Sequence, residues 1–98
     1  MPQAMGSTQT LRNEVHYSGH VQGVGFRYTT RQVARGFDVT GFVQNLSDGR
    51  VLLVAEGSVS ELKRFLEEVQ QQLRGNIRES KVARLAASGE FSDFSIRH

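Results

Sequence analysis

Apolar residues recur along this chain with two different periods, and the order in which those periods follow one another restricts the fold more than any other feature. From Glu14 to Val21 every second residue is aliphatic, aromatic or glycine, which is typical of a half-buried strand. After a turn rich in glycine, the segment Phe26 to Arg35 places its apolar side chains three and four positions apart, and Gly36 follows. This spacing predicts a helix that ends at the glycine.

The same two periods alternate through the rest of the chain. Ser58 and Glu61 have the spacing of a capping box and predict the start of a second helix, which runs to Leu73. The predicted strands are Glu14–Val21, Asp38–Asn45, Val51–Glu56, Lys81–Ala86 and Phe91–Arg97, the second and third joined by an Asp48-Gly49 hairpin turn. A β-α-β-β-α-β order with a short extra strand predicts an α+β, ferredoxin-like split βαβ sandwich. We expect one antiparallel sheet with both helices on one face.

Length and composition set the frame for this fold. With 98 residues the chain has room for one domain and one core. We expect a flexible tail over residues 1–10 and a folded domain over residues 11–98. Cysteine is absent, which excludes disulfides, thiolate zinc sites and a cysteine nucleophile. The net charge of +2 is a weak argument for a nucleic-acid partner, and we expect none.

Further partners and cofactors are also not expected from the sequence. No segment has the roughly 20 apolar residues of a membrane span, and no export signal is visible, so we expect a cytoplasmic domain without a membrane partner. No exposed apolar stripe is obvious, and a monomer is the expected state. His16 and His20 would lie roughly 13 Å apart on their strand, too far to share a metal ion. We therefore expect no metal and no cofactor.

The turn between the first strand and the first helix is almost free of side chains. Two glycines allow its backbone N–H groups to approach a ligand closely, and the helix that follows adds the positive end of its dipole. Together these features favour a phosphate site. The predicted donors are the N–H groups of Gln22, Gly23, Val24, Gly25, Phe26 and Arg27. The Arg27 guanidinium would grip the same anion; the alternative is a simple glycine turn beside a solvated arginine.

Such a loop can hold a phosphoryl group but contains no side chain that could attack it. The spacing is that of a cysteine-phosphatase loop: five residues separate Val21 from Arg27, and His20 precedes Val21. Val21 takes the position of the nucleophile. Hydrolysis would therefore have to use water directly. Asn45, at the end of the second predicted strand, is the next polar group that could place that water. The alternative is that Asn45 only shapes the Ser-Asp-Gly turn after it.

Four motifs follow one another with a specific order and spacing. They are Gly19-x-Val21-Gln22-Gly23-Val24-Gly25-Phe26-Arg27, Gly41-x-Val43-x-Asn45-x-x-Asp48-Gly49-x-Val51, Glu56-Gly57 and Phe94-x-Ile96-Arg97. In this arrangement the chain resembles the acylphosphatase family over residues 11–98. The resemblance implies the same ferredoxin-like fold and the metal-free hydrolysis of acyl phosphates to a carboxylate and inorganic phosphate, which is both product and inhibitor. It places the essential arginine at Arg27 and the water-orienting asparagine at Asn45.

Two other functions remain open on this fold. A non-catalytic phosphate- or nucleotide-binding module would use the glycine loop and Arg27 but would not need Asn45. A reader of single-stranded RNA would need aromatic side chains on its central strands. Tyr17 instead lies on the apolar face of its strand, and Phe42 alone is a poor stacking platform. The sequence therefore favours the enzyme, then the phosphate-binding module, then the RNA reader.

Overall fold

The computed structural model describes residues 9–98, which form a five-stranded sheet and two helices. The strands are β1 (Thr10–Gly19), β2 (Val39–Asn45), β3 (Val51–Ser58), β4 (Ile77–Ala86) and β5 (Phe94–Arg97), and the helices are α1 (Phe26–Ala34) and α2 (Val59–Leu73). Across the sheet the strand order is β4-β1-β3-β2-β5. The predicted ferredoxin-like α+β order is confirmed, including the short extra strand.

The sequence predicted a wholly antiparallel sheet, but one pair of neighbouring strands is parallel. β5 pairs with β2 in parallel, with Gly41 opposite Phe94 and Gln44 opposite Arg97. The other neighbouring strands are antiparallel. The connection of residues 87–93 carries the chain from β4 at one edge of the sheet to β5 at the other. Because this connection also reverses the chain direction, β5 enters the sheet running alongside β2.

Backbone pairing, rather than the apolar pattern, sets the ends of the strands. β1 begins at Thr10 rather than Glu14, because its polar first half still pairs with β3 and β4. Thr10 was predicted to belong to a flexible tail over residues 1–10. Residue 9 lies in no strand, and the rest of the predicted tail lies outside the described residues. β3 continues through Gly57, where the sequence predicted its end, since Gly57 pairs with Leu11 on one side and Val39 on the other.

The remaining boundaries differ from prediction by a few residues. β1 ends at Gly19 rather than Val21, α1 ends at Ala34 rather than Arg35, β2 begins at Val39 rather than Asp38, β4 begins at Ile77 rather than Lys81, and β5 begins at Phe94 rather than Phe91. The β4 boundary shifts because Ile77 pairs with Gly19 at the end of the β1–β4 ladder. Apolar alternation gave no sign of this pairing.

The core lies between one face of the sheet and both helices. On β1, Val15 and Tyr17 are buried, as the alternation predicted. The same core contains residues from both helices and the two other central strands, namely Phe26, Val33, Ala34, Val39, Val43, Val51, Leu53, Ala55, Leu62, Phe65, Val69 and Leu73. The rings of Tyr17 and Phe26 lie 5.1 Å apart. Phe26 thus fixes the start of α1 against β1, next to the glycine loop.

The predicted capping box of α2 is formed only in part. Ser58 Oγ accepts a hydrogen bond from the N–H of Glu61 at 3.2 Å, as expected for the N-cap. The Glu61 carboxylate does not return to Ser58. Its Oε1 instead accepts from the N–H of Asp38 at 2.7 Å, and its Oε2 pairs with Arg64. The glutamate therefore links α2 to the chain that enters β2.

Some apolar side chains on the described surface are exposed, against expectation. Val59, Val82 and Leu85 are 48%, 54% and 44% exposed. Two of them lie on β4, whose residues after Ile77 are all exposed because the edge strand extends beyond the cover of the helices. A lack of exposed apolar side chains therefore does not support the monomer expected from the sequence.

A buried carboxylate anchors the connection between β4 and β5. Glu56 is 5% exposed and accepts hydrogen bonds from the N–H groups of Ser88 and Gly89 at 2.8 and 2.9 Å. The Nε of Arg12 donates to the same carboxylate at 2.8 Å. Burial alone would raise the Glu56 pKa, but these hydrogen bonds outweigh it and lower the pKa from 4.5 to about 2. The carboxylate is therefore ionised down to strongly acidic pH.

We expect Glu56→Gln to lower the free energy of unfolding at pH 7 by about 3 kcal/mol, because it leaves Arg12 without its buried partner. Since the folded pKa is depressed, this contribution is present above about pH 4.5 and is lost as the pH falls towards 2. Urea denaturation at pH 7 and pH 2 measures both values. The control is Glu90→Gln, which removes an exposed partner of Arg12 and should cost less than about 1 kcal/mol. Equal losses for the two variants at pH 7 would contradict this account.

Candidate active site

The C-terminal ends of three strands lie together at one end of the sheet. β1 and β2 are both antiparallel to β3, and β5 is parallel to β2, so all three run in one direction. β1 ends there at Gly19, β2 at Asn45 and β5 at Arg97, and α1 begins close to the end of β1 at Phe26. The topology thus brings the glycine loop, Asn45 and residues 96–98 together, which the sequence analysis could not derive.

The glycine loop has a backbone conformation that other residues rarely adopt. Gly23 and Gly25 have φ angles of 77° and 79°, in the left-handed region. A Cβ atom at either position would meet nothing within 4 Å, so conformation rather than space requires glycine. Gly25 is the N-cap of α1 and has no side chain to bond the first turn. Within the described chain, the N–H groups of residues 22–27 donate no hydrogen bond, so they remain available to an anion.

The side chain of Gln22 holds this loop against the β2–β3 turn. Its Nε2 donates to the carbonyl oxygens of Leu46 and Arg50 at 2.8 and 2.9 Å. These two bonds fix the loop relative to the end of β2, where Asn45 lies. The loop motif predicted a role only for the backbone N–H of Gln22, because nothing in a local motif shows which distant carbonyl a glutamine will reach.

Arg27 lies half-buried in the first turn of α1. Its Nη1 donates to the carbonyl oxygen of Arg97 at 3.4 Å, a long hydrogen bond to the end of β5. The first turn of α1 contains no acidic residue. Among the described residues no carboxylate forms an ion pair with Arg27. Its other guanidinium donors are therefore available to an anion in front of the helix.

Asn45 is the last residue of β2, opposite Val51, and is half-buried. The turn after it is stabilised by Asp48, whose Oδ1 accepts from the N–H of Arg50 at 3.1 Å and whose Oδ2 bonds the Arg50 guanidinium. Within residues 9–98 no hydrogen bond holds the Asn45 side chain. The geometry therefore gives the turn-forming role to Asp48 and leaves the Asn45 amide free.

A small cavity of about 180 Å³ connects these groups. Its walls are Val21, Gly23, Gly25, Phe26, Arg27, Tyr28, Asn45, Ile96 and His98. Of the predicted site residues, Arg27, Asn45, Phe26 and the two loop glycines thus meet in one place. Gln22 and Val24 are not part of the wall: Gln22 bonds the neighbouring turn, and the Val24 side chain is 37% exposed.

Four wall residues were not among the predicted site residues: Val21, Tyr28, Ile96 and His98. Val21 precedes the predicted donors of the loop. Tyr28 is 56% exposed, and the guanidinium of Arg31 lies 5.6 Å from its ring centre. Its position directly after Arg27 is the one signal that could have indicated it. Ile96 and His98 reach the cavity because β5 runs parallel to β2, and the predicted antiparallel sheet did not allow for that.

One larger depression and two histidines, all among residues 9–98, do not show this combination. A larger open depression of about 640 Å³ lies at the opposite end of β1 and β3, where its walls include Asp38 and Glu56 and no arginine or lysine. His16 and His20 do not line the small cavity. In the described part of the chain, no three His, Cys, Asp or Glu side chains are grouped as metal ligands would be.

Gly25→Ala tests the importance of the loop conformation. A side chain in the left-handed region costs about 1 to 2 kcal/mol, which the loop can avoid only by changing shape. We expect the dissociation constant of inorganic phosphate, measured by titration, to rise by about tenfold. The control is Gly75→Ala, at a glycine without a left-handed φ and with equally open space. Unchanged phosphate binding in Gly25→Ala would contradict a role for this conformation.

Comparison with known proteins decides the family. The sequence profile described as Acylphosphatase matches residues 13–96. The chain belongs to the acylphosphatase family. An acylphosphatase of Marinobacter nauticus is 44% identical over 82 residues, which cover 83% of this chain and 89% of the relative. The crystal structure of acylphosphatase from Bacillus subtilis superposes with a TM-score of 0.80 at 31% identity, and covers 90% of this chain and 99% of that one.

Another relative is similar to this chain over a shorter segment. An acylphosphatase of Archaeoglobus fulgidus is 54% identical over 56 residues, which cover 57% of this chain. The match spans 63% of the length of that relative. The family and the acylphosphatase-like ferredoxin fold expected from the sequence motifs are confirmed. No helix among the described residues is long and apolar enough to cross a membrane.

Proposed function

We propose that this protein is an acylphosphatase whose active site is the cavity between the glycine loop and the end of β2. It would hydrolyse the carboxyl–phosphate anhydride of an acyl phosphate to a carboxylate and inorganic phosphate. One observation supports this function above the others: the cavity wall contains both Arg27 and Asn45. A module that only binds phosphate would need the arginine and the loop but not the asparagine.

Binding of the phosphoryl group is the first step. The free N–H groups of residues 22–27 and the Arg27 guanidinium supply donors to its oxygens at the positive end of the α1 dipole. These groups are held before the substrate arrives, because Gln22 fixes the loop and Phe26 packs on Tyr17. Donors that need no rearrangement stabilise the charge of the transition state most effectively.

Attack by water is the second step. The Asn45 amide would hold a water molecule opposite the bond that breaks, because it has both a donor and an acceptor and does not titrate. The water oxygen forms a bond to phosphorus as the bond from phosphorus to the acyl oxygen breaks. The leaving group is a carboxylate of low basicity, so it needs no protonation. The proton of the water passes to the phosphate oxygens.

The test is hydrolysis of benzoyl phosphate in oxygen-18 water with excess EDTA. We expect turnover without metal and the label in the inorganic phosphate, because water attacks phosphorus. Label in the benzoate would place the attack at the acyl carbon and contradict the mechanism. Competitive binding of phosphate with no turnover of benzoyl or acetyl phosphate would instead favour the binding module.

Two expectations from the sequence stay predictions. A monomer would give the mass of one chain in light scattering at assay concentration. A cytoplasmic location would be tested by fractionation of cells that express the full chain.

A further inference from the structure

Part of the cavity wall has no role in the proposed hydrolysis. The glycine loop, Arg27 and Asn45 would hold the phosphoryl group and the water, and the rest of the wall consists of Val21, Phe26, Tyr28, Ile96 and His98. Val21 and Phe26 are buried and belong to the core. Tyr28 is more than half exposed. It is therefore the aromatic side chain of this wall that a bound molecule can reach.

Neither core packing nor hydrogen bonding accounts for a tyrosine at position 28. The side chain is not part of the core, and within residues 9–98 its hydroxyl forms no hydrogen bond. Its ring contacts Arg31, which lies one turn further along α1 and whose guanidinium carbon is 5.6 Å from the ring centre. Arg31 does not line the cavity. This contact therefore holds the Tyr28 ring beside the cavity without filling it.

A bulky acyl group would have to extend over this exposed wall. The cavity volume of about 180 Å³ is well below the roughly 300 to 1,000 Å³ of sites that enclose drug-sized ligands, and the phosphoryl group fills part of it. In-line attack places the acyl group on the side of phosphorus opposite the water. Asn45 ends a strand of the sheet, whereas Tyr28 lies in the first turn of α1. An acyl group directed away from Asn45 therefore points from the sheet towards the helix that carries Tyr28.

On the basis of the proposed function, we propose that Tyr28 forms the acyl subsite and gives the enzyme a preference for acyl phosphates with a planar aromatic acyl group. The ring of such a substrate would pack against the Tyr28 ring, and an aromatic pair contributes more than the burial of its area alone. A small aliphatic acyl group would leave the Tyr28 ring uncovered. Among the described residues no aspartate or glutamate lines the cavity, so the wall offers no partner to a cationic acyl group.

Phenacylphosphonate and acetonylphosphonate are matched probes for this subsite. They correspond to benzoyl and acetyl phosphate with a methylene group in place of the bridging oxygen, so they bind without being hydrolysed. In NMR titrations of the ¹⁵N-labelled full chain, we expect phenacylphosphonate to bind about three- to tenfold more tightly, the contribution of one aromatic pair. Tyr28→Ala should lose this preference but bind inorganic phosphate as the wild type does. Tyr28→Phe should keep the preference, because the hydroxyl takes no part in it.

Gln32→Ala is the matched control, since Gln32 is exposed on the same helix and does not line the cavity. It should leave both phosphonate affinities unchanged. The hydrolysis assay gives a second measurement. The ratio of kcat/KM for benzoyl phosphate to that for acetyl phosphate should fall in Tyr28→Ala by the same factor as the phosphonate preference. Comparison of this ratio between variants cancels the different intrinsic reactivities of the two substrates.

Equal affinity of the wild type for the two phosphonates, or a preference that survives in Tyr28→Ala, would overturn the proposal. A preference lost in Tyr28→Phe as well would assign it to the hydroxyl and overturn the ring contact. The phosphonate titrations do not depend on turnover, so the subsite and the proposed function can fail separately. Hydrolysis of benzoyl phosphate without any phosphonate preference would overturn the subsite alone. A preference that depends on Tyr28, without turnover of any acyl phosphate, would support the subsite and contradict the enzyme.

Discussion

Arg27→Ala is expected to lower kcat/KM for an acyl phosphate by on the order of 10³-fold or more, since an arginine that neutralises a phosphoryl group in the transition state contributes that much. The same change should raise the inhibition constant of inorganic phosphate, because the guanidinium also holds the ground-state anion. Arg27 is half-exposed and makes one long hydrogen bond, so stability should change little. Steady-state kinetics with phosphate as competitor, together with thermal melting, measure all three effects.

Two further variants separate charge from geometry at this position. Arg27→Lys keeps the positive charge but loses the planar fork that bonds two oxygens at once, and it should recover only a small part of the lost activity. Arg35→Ala removes an arginine from the other end of the same helix, where it is the C-cap, and should leave the kinetics unchanged. Activity of Arg27→Ala close to that of Arg35→Ala would show that the site lies elsewhere.

Asn45→Ala should produce a different kinetic pattern. We expect kcat to fall by on the order of 10²–10³-fold, the usual effect of losing one group that orients a reactant or stabilises the transition state. The inhibition constant of phosphate should stay close to the wild-type value, because the loop and Arg27 are intact. The difference between a large loss of kcat and unchanged phosphate binding distinguishes a group that positions water from one that binds the anion.

Gln44→Ala is the matched control for this variant. Gln44 precedes Asn45 on β2, so its side chain points to the opposite face of the sheet. It is half-buried like Asn45, and its loss should not affect kcat. A fully active Asn45→Ala enzyme would remove the asparagine from the mechanism. A parallel loss of phosphate binding would make it a binding residue instead.

Local patterns were enough to predict the fold and the glycine turn between β1 and α1. Both depend on residues close together in the chain: the alternation around Tyr17, the helical spacing after Phe26 and the glycines that give the loop its left-handed backbone. Such features are fixed by near neighbours, so a single sequence contains most of the information. The short connection from β1 to α1 leaves the chain few other ways to turn.

Contacts between distant segments could not be predicted in the same way. The residues alone did not show that Asn45 faces the loop, because that depends on β1 and β2 running in one direction on either side of β3. The position of His98 in the cavity wall depends on the parallel pairing of β5, which no periodicity shows. The strand boundaries and the Glu56 anchor also depend on partners far away in the chain.

A titration of the ¹⁵N-labelled protein with inorganic phosphate tests the central claim most directly. We expect the largest shifts at the backbone amides of residues 22–27, a smaller shift at the Asn45 side-chain amide, and a dissociation constant equal to the inhibition constant of phosphate in the acyl phosphate assay. Saturable shifts confined to other parts of the chain, such as the depression beside Glu56, would contradict a phosphoryl site built from the glycine loop and Arg27.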